Sequence, residues 1–227
     1  WTTLVTGIDA TLGTWTWDTT AQMSTPLGVW RVTSIEEPLV SDQNAVFFAV
    51  RNAPFHFYVN DNSTTGDVYT LVKGSDAYSG LTVSDPMASL KTVIDTYDLE
   101  AGDTIWVDTG TYPLSGDITI GTLDSGTTNI PVMIRGSTNA VYGGSVLDRQ
   151  VPGGGTAGIR FNGALGVVIK DLGVKRAENG VVFENATRAC RAEGVTSFDN
   201  GSAGFSVSLS KDILMQGCLA INNSTYG

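Results

Sequence analysis

VVIKDLGVKRAEN (residues 167–179), RACRAEGVTSFDN (188–200) and LSKDILMQGCLAINN (209–223) decide the fold. They superpose when Asn179, Asn200 and Asn223 share a column, at spacings of 21 and 23 residues. Gly173, Gly194 and Gly217 then share a second column, and Ile169, Cys190 and Ile213 a third. Apolar residues stack on apolar residues, and turn residues on turn residues. A second series, Gly158-Ile-Arg-Phe161, Gly180-Val-Val-Phe183 and Gly204-Phe-Ser-Val207, recurs at 22 and 24 residues and supplies another strand per repeat. Self-similarity at this period marks a solenoid. Strand-sized apolar triplets between Gly and Asn predict a coil of parallel β-strands, and the leucine pattern of leucine-rich repeats is absent. Successive coils rise by about 4.8 Å, so the roughly five coils after Ile105 span only about 25 Å.

Upstream, the stretch from Ser63 to Gly80 is polar and reads as loop. Leu90, Val93, Ile94 and Tyr97 fall at i, i+3, i+4 and i+7 and predict a helix with one apolar stripe. Ser84 or Asp85 is the expected cap, with Pro86 in the first turn. Thr104 to Asp108 reads as a strand. Residues 57–112, with GLTVSDPMASLKTVIDTYDLEAGDTIWVDTGTY (80–112) at their centre, resemble the N-terminal cap and first rung of pectate-lyase-like right-handed parallel β-helices. A helix with one apolar stripe can plug the end of such a stack.

Residues 1–53 alternate as antiparallel strands around Trp15–Trp17, Gly28–Ser34 and Asn44–Val50, with Trp1–Val5 read as a further strand. LGVWRVTSIEEPLVSD and AVFFAV resemble the second half of Ig-like modules of microbial cell-surface proteins. The expected fold is therefore all-β. A partial Ig-like antiparallel module (1–53) is followed by a linker, strand and amphipathic cap helix (54–103), then by parallel β-helix coils (104–227). Thr225-Tyr-Gly227 stands where a next coil would start and no capping coil follows, so the expectation is a chain continued or covered at both ends.

Composition narrows the function. Acids outnumber bases 23 to 13, for a net charge of −10, which makes nucleic acid a poor partner. No apolar run approaches the ~18 residues of a membrane span. Through Ile130 there are 16 acids and 4 bases, and from Pro131 onward 7 and 9. This asymmetry is compatible with ordinary surface variation or with head-to-tail contact between unlike ends. Cys190 and Cys218 lack a CxxC or a histidine partner, which excludes a metal site; two thiols or one disulfide both fit. Five Asn-x-Ser/Thr triplets (at Asn62, Asn185, Asn200, Asn222 and Asn223) are what an Asn/Ser/Thr-rich chain yields by chance or mark glycosylation.

His56, the sole histidine, lies between aromatics and reads as a packing residue, so histidine-based acid–base catalysis is excluded. If the chain is a lyase of the family it resembles, the candidates for the base are Lys170 and Arg191, which the alignment stacks. Glu178 and Asp199 are then the candidate Ca²⁺ carboxylates, with a solvated turn beside the Asn179/Asn200/Asn223 ladder as the competing reading. Asn60-Asp-Asn62 with Gly66-Asp67 is a second candidate Ca²⁺ loop. No cofactor other than Ca²⁺ is indicated. Trp106 and Tyr112 are aromatics that stack on sugars if exposed, or pack the core if not. Low charge, Thr/Gly/Asn richness and the lack of a catalytic cluster favour an extracellular or cell-surface structural protein. Its work would be adhesion, surface coating or filament assembly by self-association through open β edges. The alternatives are a polysaccharide lyase or hydrolase, and a carbohydrate-binding β-helix without turnover.

Overall fold

The computed structural model describes residues 2–140 and 143–225. Trp1, Tyr226 and Gly227, which belong to the expected first strand and the expected next coil, lie outside the described residues. The chain divides into two compact units, 1–53 and 54–227. Among the described residues no helix is long and apolar enough to cross a membrane.

The first unit holds four short strands: β1 (Thr25–Gly28), β2 (Arg31–Thr33), β3 (Ser41–Gln43) and β4 (Phe48–Val50). They pair in two separate antiparallel ladders, β1 with β4 and β2 with β3. Trp15–Trp17 and Thr2–Val5 form no strand. Among the described residues these are two separate two-stranded ladders, and the expected Ig-like half-module is not confirmed. Strands of three or four residues bury little. Val50 is buried, while Leu39, Met23 and Val46 are exposed. Local polar bonds fix the loops instead: the Asn52 amide donates to Thr19 O (2.6 Å) and Gln22 O (2.8 Å).

The second unit is a parallel β-helix whose rungs follow one another along the chain. The first contributes β5 (His56–Val59). The second is β6 (Thr104–Val107), β7 (Gly110–Pro113) and β8 (Ile118–Ile120). The third is β9 (Val132–Gly136), β10 (Ser145–Asp148) and β11 (Ala157–Asn162). The fourth is β12 (Val167–Lys170), β13 (Leu172–Lys175) and β14 (Asn179–Glu184). The fifth is β15 (Arg191–Glu193), β16 (Thr196–Phe198) and β17 (Phe205–Val207), and the sixth β18 (Leu214–Gln216) and β19 (Leu219–Ile221). Equivalent strands form three parallel sheets, ordered β5-β6-β9-β12-β15-β18, β7-β10-β13-β16-β19 and β8-β11-β14-β17.

Alternation explains the core. In the first sheet Phe57, Ile105, Ile134, Ile169, Ala192 and Met215 occupy one inward column. In the third, Ile120, Phe161, Phe183 and Val207 do so. The Phe161 and Phe183 rings stack at 4.5 Å, worth about 0.5–1.5 kcal/mol beyond the area they bury. Helix α1 (Leu90–Thr96) buries Leu90, Val93 and Ile94, and the Tyr97 ring stacks on Phe57 at 4.6 Å. Its cap is Ser89, not Ser84 or Asp85, because Met87 is already committed to β5. Met87 N donates to Tyr58 O and Asn60 N to Met87 O, both at 2.9 Å.

The register corrects one step of the sequence alignment. Both late steps are 23 residues: Lys170 pairs with Glu193 and Glu193 with Gln216. Asn179 therefore leaves the ladder and sits in β14. Asn200 is stacked between Ala177 and Asn223. Its Oδ1 accepts from Ala177 N (3.0 Å), and its Nδ2 donates to Asn223 Oδ1 (2.8 Å) and Ser197 Oγ (3.0 Å). Asn200 is 1% exposed, so losing its amide strands buried partners. Asn200→Ala is expected to cost about 2–4 kcal/mol in urea unfolding, and the exposed Asn162→Ala less than about 0.5 kcal/mol.

Candidate functional site

The outward face of the first sheet gathers the chemistry. One line across its strands reads Tyr58, Trp106, Arg135, Lys170, Glu193, Gln216. Beside it run His56, Thr104, Met133, Val168, Arg191 and Leu214. Six strands at about 4.8 Å make a row about 24 Å long. Aromatic groups occupy the β5–β6 end and charged groups the centre.

Trp106 is the hub of the aromatic end. The Tyr69 ring packs on it at 5.0 Å, and the His56 ring lies 6.4 Å away. The indole Nε1 donates to His56 Nδ1 at 3.4 Å. The Arg135 guanidinium lies 5.7 Å over the indole ring, within reach of a cation–π attraction. Burial pushes the Tyr69 phenol up; the Asp171 and Asp108 carboxylates add to this and the Arg135 charge opposes it. The Tyr69 hydroxyl donates to Gly136 O at 3.1 Å. Three ion pairs follow along the row: Arg135–Asp171 at 3.8 Å, Lys170–Glu193 at 3.2 Å and Arg191–Glu193 at 3.9 Å.

Tyr69 comes from a long loop, and Asp108 holds that loop in place. The buried Asp108 carboxylate, just past β6, accepts from Val68 N (2.7 Å), Tyr69 N (2.8 Å), Thr70 N (2.7 Å) and Thr70 Oγ1 (2.8 Å). It also accepts from Thr109 N at 2.8 Å. The buried Asn60 pins the same loop through its amide, which donates to Ser63 O, Asp67 Oδ2 and Val72 O. Burial raises the Asp67 carboxyl above its usual range; the Asn60 bond opposes this, and the Asp108 and Asp61 charges add to it.

The predicted site residues scatter. Lys170 and Arg191 share the platform but lie diagonally, each facing Glu193 rather than the other. Glu178 and Asp199 do not stack, because the 23-residue step sets Asp199 over Arg176. Glu178 accepts from Gly155 N at 2.5 Å. Asp199 lies in a shallow depression of about 480 Å³ with Pro152, Asn200, Gly201, Asn222 and Ser224. Tyr112 points inward, is buried and donates to Asp108 O at 2.9 Å. Among the described residues no group of three or more His, Cys, Asp or Glu is gathered to hold a metal. Cys190 and Cys218 are free thiols, and burial pushes the Cys190 thiol up. His56 is exposed, with its ring beside Trp106 on the surface rather than in the core. Arg135, Tyr69 and Asp108 escaped the sequence reading; the alternation that turns Ile105 and Ile134 inward was the available signal for Trp106 and Arg135.

No family model matches the sequence, and no curated protein is a significant match. Solved structures do match. The chain is similar to pectate lyase Pel9A, with 18% identity and a TM-score of 0.50 over 76% of this chain and 50% of that one. It is similar to the GH136 lacto-N-biosidase from Eubacterium ramulus, with 14% identity and a TM-score of 0.53 over 76% and 35%. It is also similar to an alginate lyase from Paenibacillus sp. str. FPU-7, with 21% identity and a TM-score of 0.47 over 57% and 40%. With the pectate lyase and the lacto-N-biosidase the chain shares the fold: residues 54–227 form a right-handed parallel β-helix of the pectate-lyase-like kind. It spans half or less of the length of each of these proteins.

Asp108→Ala is expected to release the loop that carries Tyr69. Hydrogen exchange of the Val68, Tyr69 and Thr70 amides should rise at least tenfold, with the amides of β12 unchanged.

Proposed function

We propose that this chain is a carbohydrate-acting β-helix that binds a glycan chain along the outward face of its first sheet. One observation carries the reading: an aromatic cluster and a row of charged side chains share a single line about 24 Å long across adjacent strands. An aromatic face matches the apolar C–H face of a sugar ring, and charged groups supply directional hydrogen bonds to hydroxyls. A regular stack of parallel strands offers such groups at even spacing, which suits a polymer of repeating units. The solved structures with this fold act on pectate and on a lacto-N-biose glycan, as their names state, which supports a carbohydrate ligand over a role in adhesion or filament assembly.

Lys170 and Arg191 are binding groups in this reading. Each is held in an ion pair with Glu193, and neither stands free as the base a lyase needs. Affinity electrophoresis through gels cast with a panel of polysaccharides is expected to retard the protein in at least one. Trp106→Ala should weaken that retardation at least about tenfold without lowering the melting temperature by more than a few degrees. No retardation by any glycan in the panel would sink the reading. Release of unsaturated, ultraviolet-absorbing product from a uronate polymer would replace it with lyase chemistry.

A further inference from the structure

We propose that the ligand of this face is an uncharged glycan, recognised through its hydroxyl pairs. The inference rests on the glycan-binding reading and names the substrate class. Every cation of the row is already matched by a carboxylate of the same chain. Arg135 has Asp171 at 3.8 Å, and Lys170 and Arg191 share Glu193 at 3.2 and 3.9 Å. Three cations and two anions leave one net positive charge, inside a unit that carries 18 acids against 11 bases. A polyuronate would meet a repulsive field at long range. On contact its carboxylates would compete with Asp171 and Glu193 for these cations.

A neutral sugar meets no such obstacle. A hydroxyl group both donates and accepts. A guanidinium or ammonium beside a carboxylate presents a donor and an acceptor side by side, which suits two neighbouring hydroxyls on one ring. The pairs stay intact, and each bond to the sugar is charge-assisted. The pairs are also reachable, since the side chains of Arg135, Asp171, Lys170, Glu193 and Arg191 are between 21% and 38% exposed. The Arg135 Nε is buried and makes no hydrogen bond among the described residues; its nearest acceptor is Asp171 Oδ2 at 3.8 Å, beyond hydrogen-bond length.

The carboxylates therefore have opposite meanings for the two ligand classes. For a neutral glycan Glu193 is an acceptor whose loss weakens binding. For a polyanion it is an internal competitor whose loss strengthens binding. Affinity electrophoresis of the full chain against xylan, galactan and glucan on one side, and polygalacturonate and alginate on the other, separates them. Runs at about 0.05 and 0.5 M salt add a measure that needs no variant. The expected result is retardation by a neutral polymer that changes less than twofold with salt and falls about tenfold in Glu193→Gln. Retardation by an acidic polymer, lost at high salt and enhanced in Glu193→Gln, would overturn the neutral-ligand inference and leave the glycan-binding reading standing. Absence of retardation by every polymer would overturn both. Should Glu193→Gln lower the melting temperature, the salt response of the unaltered chain decides.

Discussion

A parallel β-helix lives or dies by register: each rung must return the chain to the same place one strand spacing higher. Here that constraint is met by columns of left-handed backbone. Gly163, Ala186 and Leu209 have φ of 74°, 65° and 46°, and Gly166, Ala189 and Asp212 have 59°, 52° and 56°. Asp171, Gly194 and Gly217 repeat the pattern at 54°, 61° and 62°, and Arg176, Asp199 and Asn222 at 53°, 53° and 52°. Members of each column are 23 residues apart. A non-glycine residue in this region costs about 1–2 kcal/mol. The cost is offset because the turn aims the peptide N–H at the next rung: Asp171 N donates to Glu193 O, Gly194 N to Gln216 O, Ala186 N to Leu209 O and Asp199 N to Ile221 O. Gly194 answers a second demand as well, since a Cβ there would sit 2.9 Å from Asp171 Oδ1.

These columns show why the fold was legible in the sequence and one register step was not. Stacked apolar triplets declare a solenoid whatever the exact offset, and the strand series through Ile159, Val181 and Phe205 pairs as its spacing predicts. The first late step failed because matching Asn179 to Asn200 assumes that a turn repeats its residue. What repeats is the φ value, and Arg176, Asp199 and Asn222 reach it with three different side chains. A shift of two residues keeps inward positions inward, so the apolar pattern could not expose the slip. It was enough to separate Glu178 from Asp199 and to turn the Lys170–Arg191 stack into a diagonal.

The candidate site was less legible for a different physical reason. Its residues come from strands 48, 29, 35 and 23 positions apart, so they make no local motif. The uneven early steps hold the loops that decorate the face, and one of them delivers Tyr69. Asp108 reads in sequence as an ordinary strand-end acid. Only folding reveals that its two oxygens satisfy three consecutive backbone N–H groups and a hydroxyl of that loop. The sequence offers Trp106 as a sugar-stacking aromatic if exposed and, more readily, as core or cap packing. The inward columns of Phe57, Ile105 and Ile134 leave its position no choice but the outward face.

The ion pairs along that face are hard to account for as stabilisers. Partly exposed pairs contribute about 0–1 kcal/mol, and the two longest here, at 3.8 and 3.9 Å, lie near the limit of useful geometry. The stack has stronger devices, among them the Asn200 amide and the apolar columns. Arg135, Lys170 and Arg191 stand on three successive strands, while the first rung's outward positions are aromatic. Apolar groups at one end and compensated charges at the centre serve the rung-to-rung register poorly. The arrangement is understandable if the partner of this face is something other than the protein itself: an extended molecule with an apolar side and many hydroxyls, long enough to cross several rungs.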